Sequence, residues 1–110
     1  MRLICDKHSG LGPLVGPVET RRHVETLDLL TVAEAEAVAR AVRSVAVGLR
    51  AELDPEFVFS AVVGRAVAHF HQHVFVRHRG TPDELAWHED WPDAPTGDVA
   101  ALCARLRTYF

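Results

Sequence analysis

Residues 68–77 read AHFHQHVFVR and place His69, His71 and His73 at strict alternation in an otherwise apolar run. Side chains two apart on a strand share a face, spaced roughly 6.5–7 Å along it. A strand over residues 67–77 therefore aligns three imidazoles on one side. It turns Phe70, Gln72 and Val74 to the other, the expected core side. Gln72 then needs a hydrogen-bond partner or an exposed edge, because an unpaired buried amide is costly.

The flanking segments supply the rest of a sheet and its cover. EFVFSAVVG, residues 56–64, is rich in β-branched and aromatic residues and reads as a strand. Its short separation from the histidine run favours an antiparallel hairpin. Upstream, TVAE offers Thr31 as N-cap and Glu34 as the third helical residue, a capping box. Ala35, Val38, Ala39, Val42, Val45, Ala46, Leu49 and Leu53 then recur at helical steps, with Glu36, Arg40, Arg43 and Arg50 opposite. That is an amphipathic helix of about six turns, ended by Asp54-Pro55. PLVGPVE, residues 13–19, reads as a strand kinked by Gly16 and Pro17. After Arg79 comes an ordered covering loop whose Trp87 and Trp91 are expected over the sheet or a subunit seam. His78 and His88 are expected at the surface. Asp98 caps a last helix that buries Val99, Leu102, Cys103 and Leu106. The fold class is α+β: an antiparallel sheet with one long amphipathic helix and a C-terminal helix, in a single domain over residues 1–110.

Bulk properties narrow the function. The chain has 110 residues, 48% hydrophobic and 25% charged, with a formal net charge of −3. That charge makes no general electrostatic case for a nucleic-acid polymer or a membrane surface. Arg21, Arg22, Arg65, Arg77 and Arg79 gather locally, which leaves room for a small anion site. Two cysteines, Cys5 and Cys103, make no disulfide framework, so a reducing, cytoplasmic setting is the expectation. No apolar run approaches the ~20 residues that span a bilayer, and the first residues lack a secretory core.

Three alternating histidines admit three readings. They are a solvated face, a metal site or a catalytic row. One strand easily supplies two zinc ligands, but three collinear ones do not surround a tetrahedral ion. Neutral imidazole, with a pKa near ~6.5, is a competent nucleophile towards phosphorus. A neighbouring carbonyl or imidazole fixes which ring nitrogen faces the substrate.

His69-Phe70-His71-Gln72-His73-Val74-Phe75 resembles the signature of the histidine triad (HIT) superfamily, three histidines alternating with apolar residues. The order of a strand ending in RRHV, a long helix, a strand, a turn and the triad strand resembles it too, over residues ~14–79. The resemblance implies a homodimer that hydrolyses or transfers a nucleotidyl group from a phosphoramidate or phosphoanhydride, through a covalent nucleotidyl-histidine. By position, His71 is the nucleophile, His73 contacts the phosphate or leaving group, and His69 orients the site. Arg65, Arg77 and Gln72 are the expected substrate contacts, and no organic cofactor is expected. Relatives of this superfamily hold a structural zinc, which here points to Cys5, His8, His23 and His69.

Family members also carry a further histidine on the strand before RRHV and a Gly-Gln-Ser/Thr before the triad. This chain has prolines in that strand and Gly64-Arg65-Ala66 before its triad, so Arg65 is either a phosphate clamp or a turn residue. The front of the domain is abbreviated. The alternatives are a protein that keeps the fold and binds a ligand or zinc without hydrolysis, or an enzyme repurposed for a non-nucleotide substrate.

Overall fold

A computed structural model describes residues 1–3, 14–62, 68–87, 89 and 91–110, and for residues 14–16 the backbone alone. β1 (Arg2–Leu3), β2 (Leu14–Glu19), β3 (Phe57–Ala61) and β4 (His71–Arg77) form one sheet in the order β1-β2-β4-β3. Every neighbouring pair is antiparallel. α1 (Val32–Leu53) joins β2 to β3, and α2 (Val99–Arg107) follows a long irregular segment after β4.

The helix forms where its caps and periodicity place it. Thr31 accepts from the Glu34 backbone amide, and the Glu34 carboxylate accepts from the Thr31 amide, which closes the capping box. Arg22 grips the same carboxylate, and with the Thr31 amide it holds the Glu34 carboxyl at about 2. Asp54 ends the helix in the left-handed region, at φ 44°, and its carbonyl and carboxylate take the Arg79 guanidinium. One of the gathered arginines is thus a helix-end clamp.

Both helices pack on the same face of the sheet. Val38, Ala41, Val45 and Leu49 of α1 are buried, and Ala41, Val45 and Leu49 join Val18, Val74, Val76, Leu102 and Leu106 in one core cluster. Gly48 lets α2 close in, since a Cβ there would sit 2.8 Å from Leu106 Cδ2 and 3.0 Å from Tyr109 Cδ2. Arg105 and the Tyr109 hydroxyl both bond the Glu52 carboxylate, which fixes the approach. Cys103 is buried as expected, but it is disulfide-bonded and not a reduced thiol; Cys5 lies outside the described residues.

Three boundaries differ from the sequence reading. β2 ends at Glu19, so Thr20–Val24 leave the ladder before RRHV is reached. β3 ends at Ala61, and residues 63–67 lie outside the described residues. β4 begins at His71, not at residue 67, so His69 stands in a bend ahead of the strand. The reason for the last is Phe70. It is buried against Val24 and Val38, and its backbone amide donates to the Val24 carbonyl. That bond holds the segment away from the ladder until His71 pairs with Glu19.

Gly48→Val forces a branched side chain into the α1–α2 contact. The expected loss is about 1–3 kcal/mol of unfolding free energy, the usual cost of overpacking, read as a lower urea midpoint at unchanged slope.

Candidate functional site

The pleat of β4 sorts the histidine run. Val74 and Val76 point to the helices, so His71, His73, Phe75 and Arg77 share the outer face. Neighbouring strands extend that face by register. Glu19 and Pro17 of β2 lie opposite His71 and His73. Ala61, Phe59 and Phe57 of β3 lie opposite His73, Phe75 and Arg77.

The three imidazoles are brought together, though not as one strand row. His71 and His73 meet edge to face, with ring centroids 4.8 Å apart. His69 comes from the bend, and its Nε2 lies 3.0 Å from the Thr20 carbonyl. A carbonyl only accepts, so that nitrogen carries hydrogen. Thr20 is held in turn, since its hydroxyl donates to the Arg22 carbonyl at 2.8 Å. His71 Nδ1 donates to the His69 carbonyl at 2.8 Å. In the neutral ring this leaves the lone pair on Nε2, the nitrogen a nucleophilic histidine needs.

His73 is the complement. Its Nδ1 is buried without a hydrogen-bond partner among the described residues. A buried lone pair is cheaper to leave unpaired than a buried N–H, so the neutral ring carries its proton on Nε2. Burial is the main cause that lowers the His73 pKa below 6.5, with repulsion from His71 second. The two rings thus set a His73 Nε2–H donor beside a His71 whose Nδ1 is engaged by a backbone carbonyl.

Other expected site residues lie elsewhere. Arg77 donates to the Leu85 and Pro82 carbonyls, at 3.1 and 2.8 Å, and stands six residues from His71, roughly 20 Å along the strand. It anchors a loop and is not in reach of a phosphate on His71. Gln72 faces the helix side and donates to the Ser60 hydroxyl at 2.9 Å, so the partner its position demanded is a β3 serine. There it borders a cleft of about 320 Å³ lined by Leu27, Leu30, Val38, Val42, Arg43 and Phe70, behind the histidines and not among them. Arg65, Cys5, His8 and His88 fall outside the described residues.

Half of the expected zinc set converges. His23 and His69 meet edge to face with centroids 5.1 Å apart. Among the described residues no three His, Cys, Asp or Glu side chains form a metal cluster. Two residues of the outer face were not singled out by the sequence reading. Glu19 stands opposite His71 and is ion-paired with Arg2. Phe59 packs on Phe75 at 5.7 Å. Alternation within VET and FVF is the signal for both, but their facing depends on register with β4, which is set only in the fold.

An antiparallel sheet with both helices behind it and paired histidines in front defines an α+β domain of a recognisable kind. Its fold is that of the histidine triad proteins. A histidine triad (HIT) protein of Sinorhizobium meliloti 1021 superposes with a TM-score of 0.69 at 18% identity, over 93% of this chain and 78% of that one. A HIT-like protein involved in cell-cycle regulation from Bartonella henselae, with an unknown ligand, gives 0.62 at 14% identity, over 86% and 70%. No protein-family model and no curated protein matches the sequence.

A proton NMR titration is expected to find His73 with a midpoint below 6.5, moved part of the way back in His71→Ala, because burial remains. The unfolded chain takes this proton first, so His73's contribution to stability is complete above about 6.5 and declines as pH falls through the folded midpoint. His73→Gln removes that part of the acid dependence.

Proposed function

We propose that the chain binds a phosphorus-containing small molecule, a nucleotide or another phosphate ester or phosphoramidate, on the outer face, and cleaves it through His71. The observation that carries the reading is the bond from His71 Nδ1 to the His69 carbonyl, which leaves Nε2 as the nucleophile. In the first step Nε2 forms a bond to phosphorus while the bond from phosphorus to the leaving oxygen or nitrogen breaks. His73 Nε2–H holds that leaving atom or a phosphate oxygen by a hydrogen bond and keeps its proton, while the departing group is protonated by solvent. Water then attacks phosphorus, the bond from phosphorus to His71 Nε2 breaks, and the proton lost by the water returns to solvent. His69 acts as a positioning residue, since its carbonyl orients His71 and its ring is tethered to Thr20. The HIT-like fold supports a nucleotide-type ligand by analogy of fold alone.

A homodimer belongs to the same reading. Its support is β3, which is an edge strand of the sheet among the described residues. Zinc on Cys5, His8, His23 and His69 is supported by the approach of the two described rings. It requires Cys5 as a thiolate, and Cys5 is the only other cysteine besides the disulfide-bonded Cys103. The site therefore predicts one zinc per chain in reduced protein, with two thiols counted after chelation and unfolding. A disulfide that forms at full yield while the metal stays bound excludes the Cys5 ligand.

The central test is intact-protein mass spectrometry with nucleoside phosphoramidates and dinucleotides. A nucleotidyl or phosphoryl adduct is expected on the native chain and none on His71→Ala, with turnover in that variant down by about 10³-fold or more, the scale for loss of a nucleophile. Turnover retained in His71→Ala refutes the covalent step. A ligand retained without adduct or turnover moves the reading to a binding protein of the same fold.

A further inference from the structure

Behind the histidines, on the helix side of the sheet, the cleft of about 320 Å³ plays no part in the phosphorus chemistry. Nine residues line it, and seven of them are apolar. The stripe of α1 from Ala35 to Val42 forms one wall, at the three- and four-residue steps that share a helix face. Leu27 and Leu30, just ahead of the helix, and Phe70 supply the rest. Val38 and Phe70 are buried, whereas Leu27 is left 58% exposed. The two polar members are Gln72 and Arg43, and no acidic side chain is in the lining.

Arg43 differs from the arginines already placed. Arg22, Arg79 and Arg105 hold carboxylates, and Arg77 holds loop carbonyls. Arg43 makes no hydrogen bond or ion pair among the described residues, and it is exposed. It stands four residues after Ala39, so it continues the apolar stripe of the wall. An arginine so placed lays its stem along apolar surface and keeps its guanidinium in water.

We propose that this cleft binds a medium-chain carboxylate, its hydrocarbon tail over Val38 and Phe70 and its carboxylate on the Arg43 guanidinium. The site is separate from the outer face and does not rest on His71 as a nucleophile. A mostly apolar cleft with a few polar groups is the usual form of a small-molecule site, at ~300–1,000 Å³. The volume takes on the order of ten non-hydrogen atoms at ~30 Å³ each, the share of one water in the liquid, and octanoate is of that size. Charge decides the head group. An unpartnered guanidinium in a lining without acids selects a carboxylate over an ammonium, and the two pair as forks. The extent of the cleft argues against a protein, whose stable interface takes ~20–30 residues a side.

The chain has one glutamine and no asparagine. The Gln72 side-chain NH2 pair is therefore the only one in a nitrogen–proton correlation spectrum, and it reports from the cleft itself. Octanoate titrated into the full chain is expected to move that pair and to saturate, with a Kd on the order of 0.1–1 mM for a ligand of this size. Octanol is expected to bind roughly threefold to tenfold more weakly, the range of a partly solvated charge-assisted contact. Octylammonium is expected to bind more weakly still. Arg43→Met keeps the apolar stem and brings octanoate down to the level of octanol. Ala39→Phe, at an exposed position of the wall, fills the cleft and abolishes the shift. An unchanged thermal midpoint in both variants separates lost binding from lost folding.

No saturable movement of the Gln72 pair in the native chain refutes the site. Equal binding of octanoate and octanol, unaltered by Arg43→Met, refutes the carboxylate. A Gln72 pair that moves with protein concentration alone, and that octanoate no longer moves, shows a second copy in the cleft and refutes the site as well.

Discussion

Everything at the candidate site depends on which face of β4 is buried. Val74 is wholly inaccessible and Val76 nearly so, pressed between α1 and the rest of the core. Side chains on a strand alternate with a period of two, so a slip of one residue would exchange the faces. Such a slip would put His71 and His73 into the helix interface, at the desolvation cost of two imidazoles, and put valines in water. The core therefore fixes the histidines outward without touching them. Phe70 completes the constraint from the other end. Its burial against Val24 and Val38 pulls the chain out of the ladder, and this is what lets the His69 carbonyl face back to His71 Nδ1.

Much of this was legible in the residues because the signals were local. The capping box, the helix period and the Asp54 stop are set by neighbours within four positions, and α1 begins and ends where they say. The facing of His71 and His73 followed from alternation. The role of His69 did not, because Phe70 leaves the strand through a bond to Val24, 46 positions away in sequence, and propensity says nothing of such a bond. Arginines misled for a related reason. Arg77 and Arg79 look like anion ligands when counted by charge, yet one satisfies loop carbonyls and the other a helix end. A guanidinium with five donors finds backbone oxygen wherever a turn leaves it unpaired.

This assignment of the arginines changes the electrostatics expected for a bound phosphate. Among the described residues, the ion pair nearest His71 by register is that of Arg2 with Glu19, which is neutral in sum. Under the proposed chemistry, a phosphate on this face would meet the His73 N–H among the described residues; Arg65 lies outside them. As a neutral ring His73 offers a hydrogen bond from Nε2, because its buried Nδ1 has no partner among the described residues and keeps the lone pair. The unsatisfied nitrogen is of the kind that persists where function requires it.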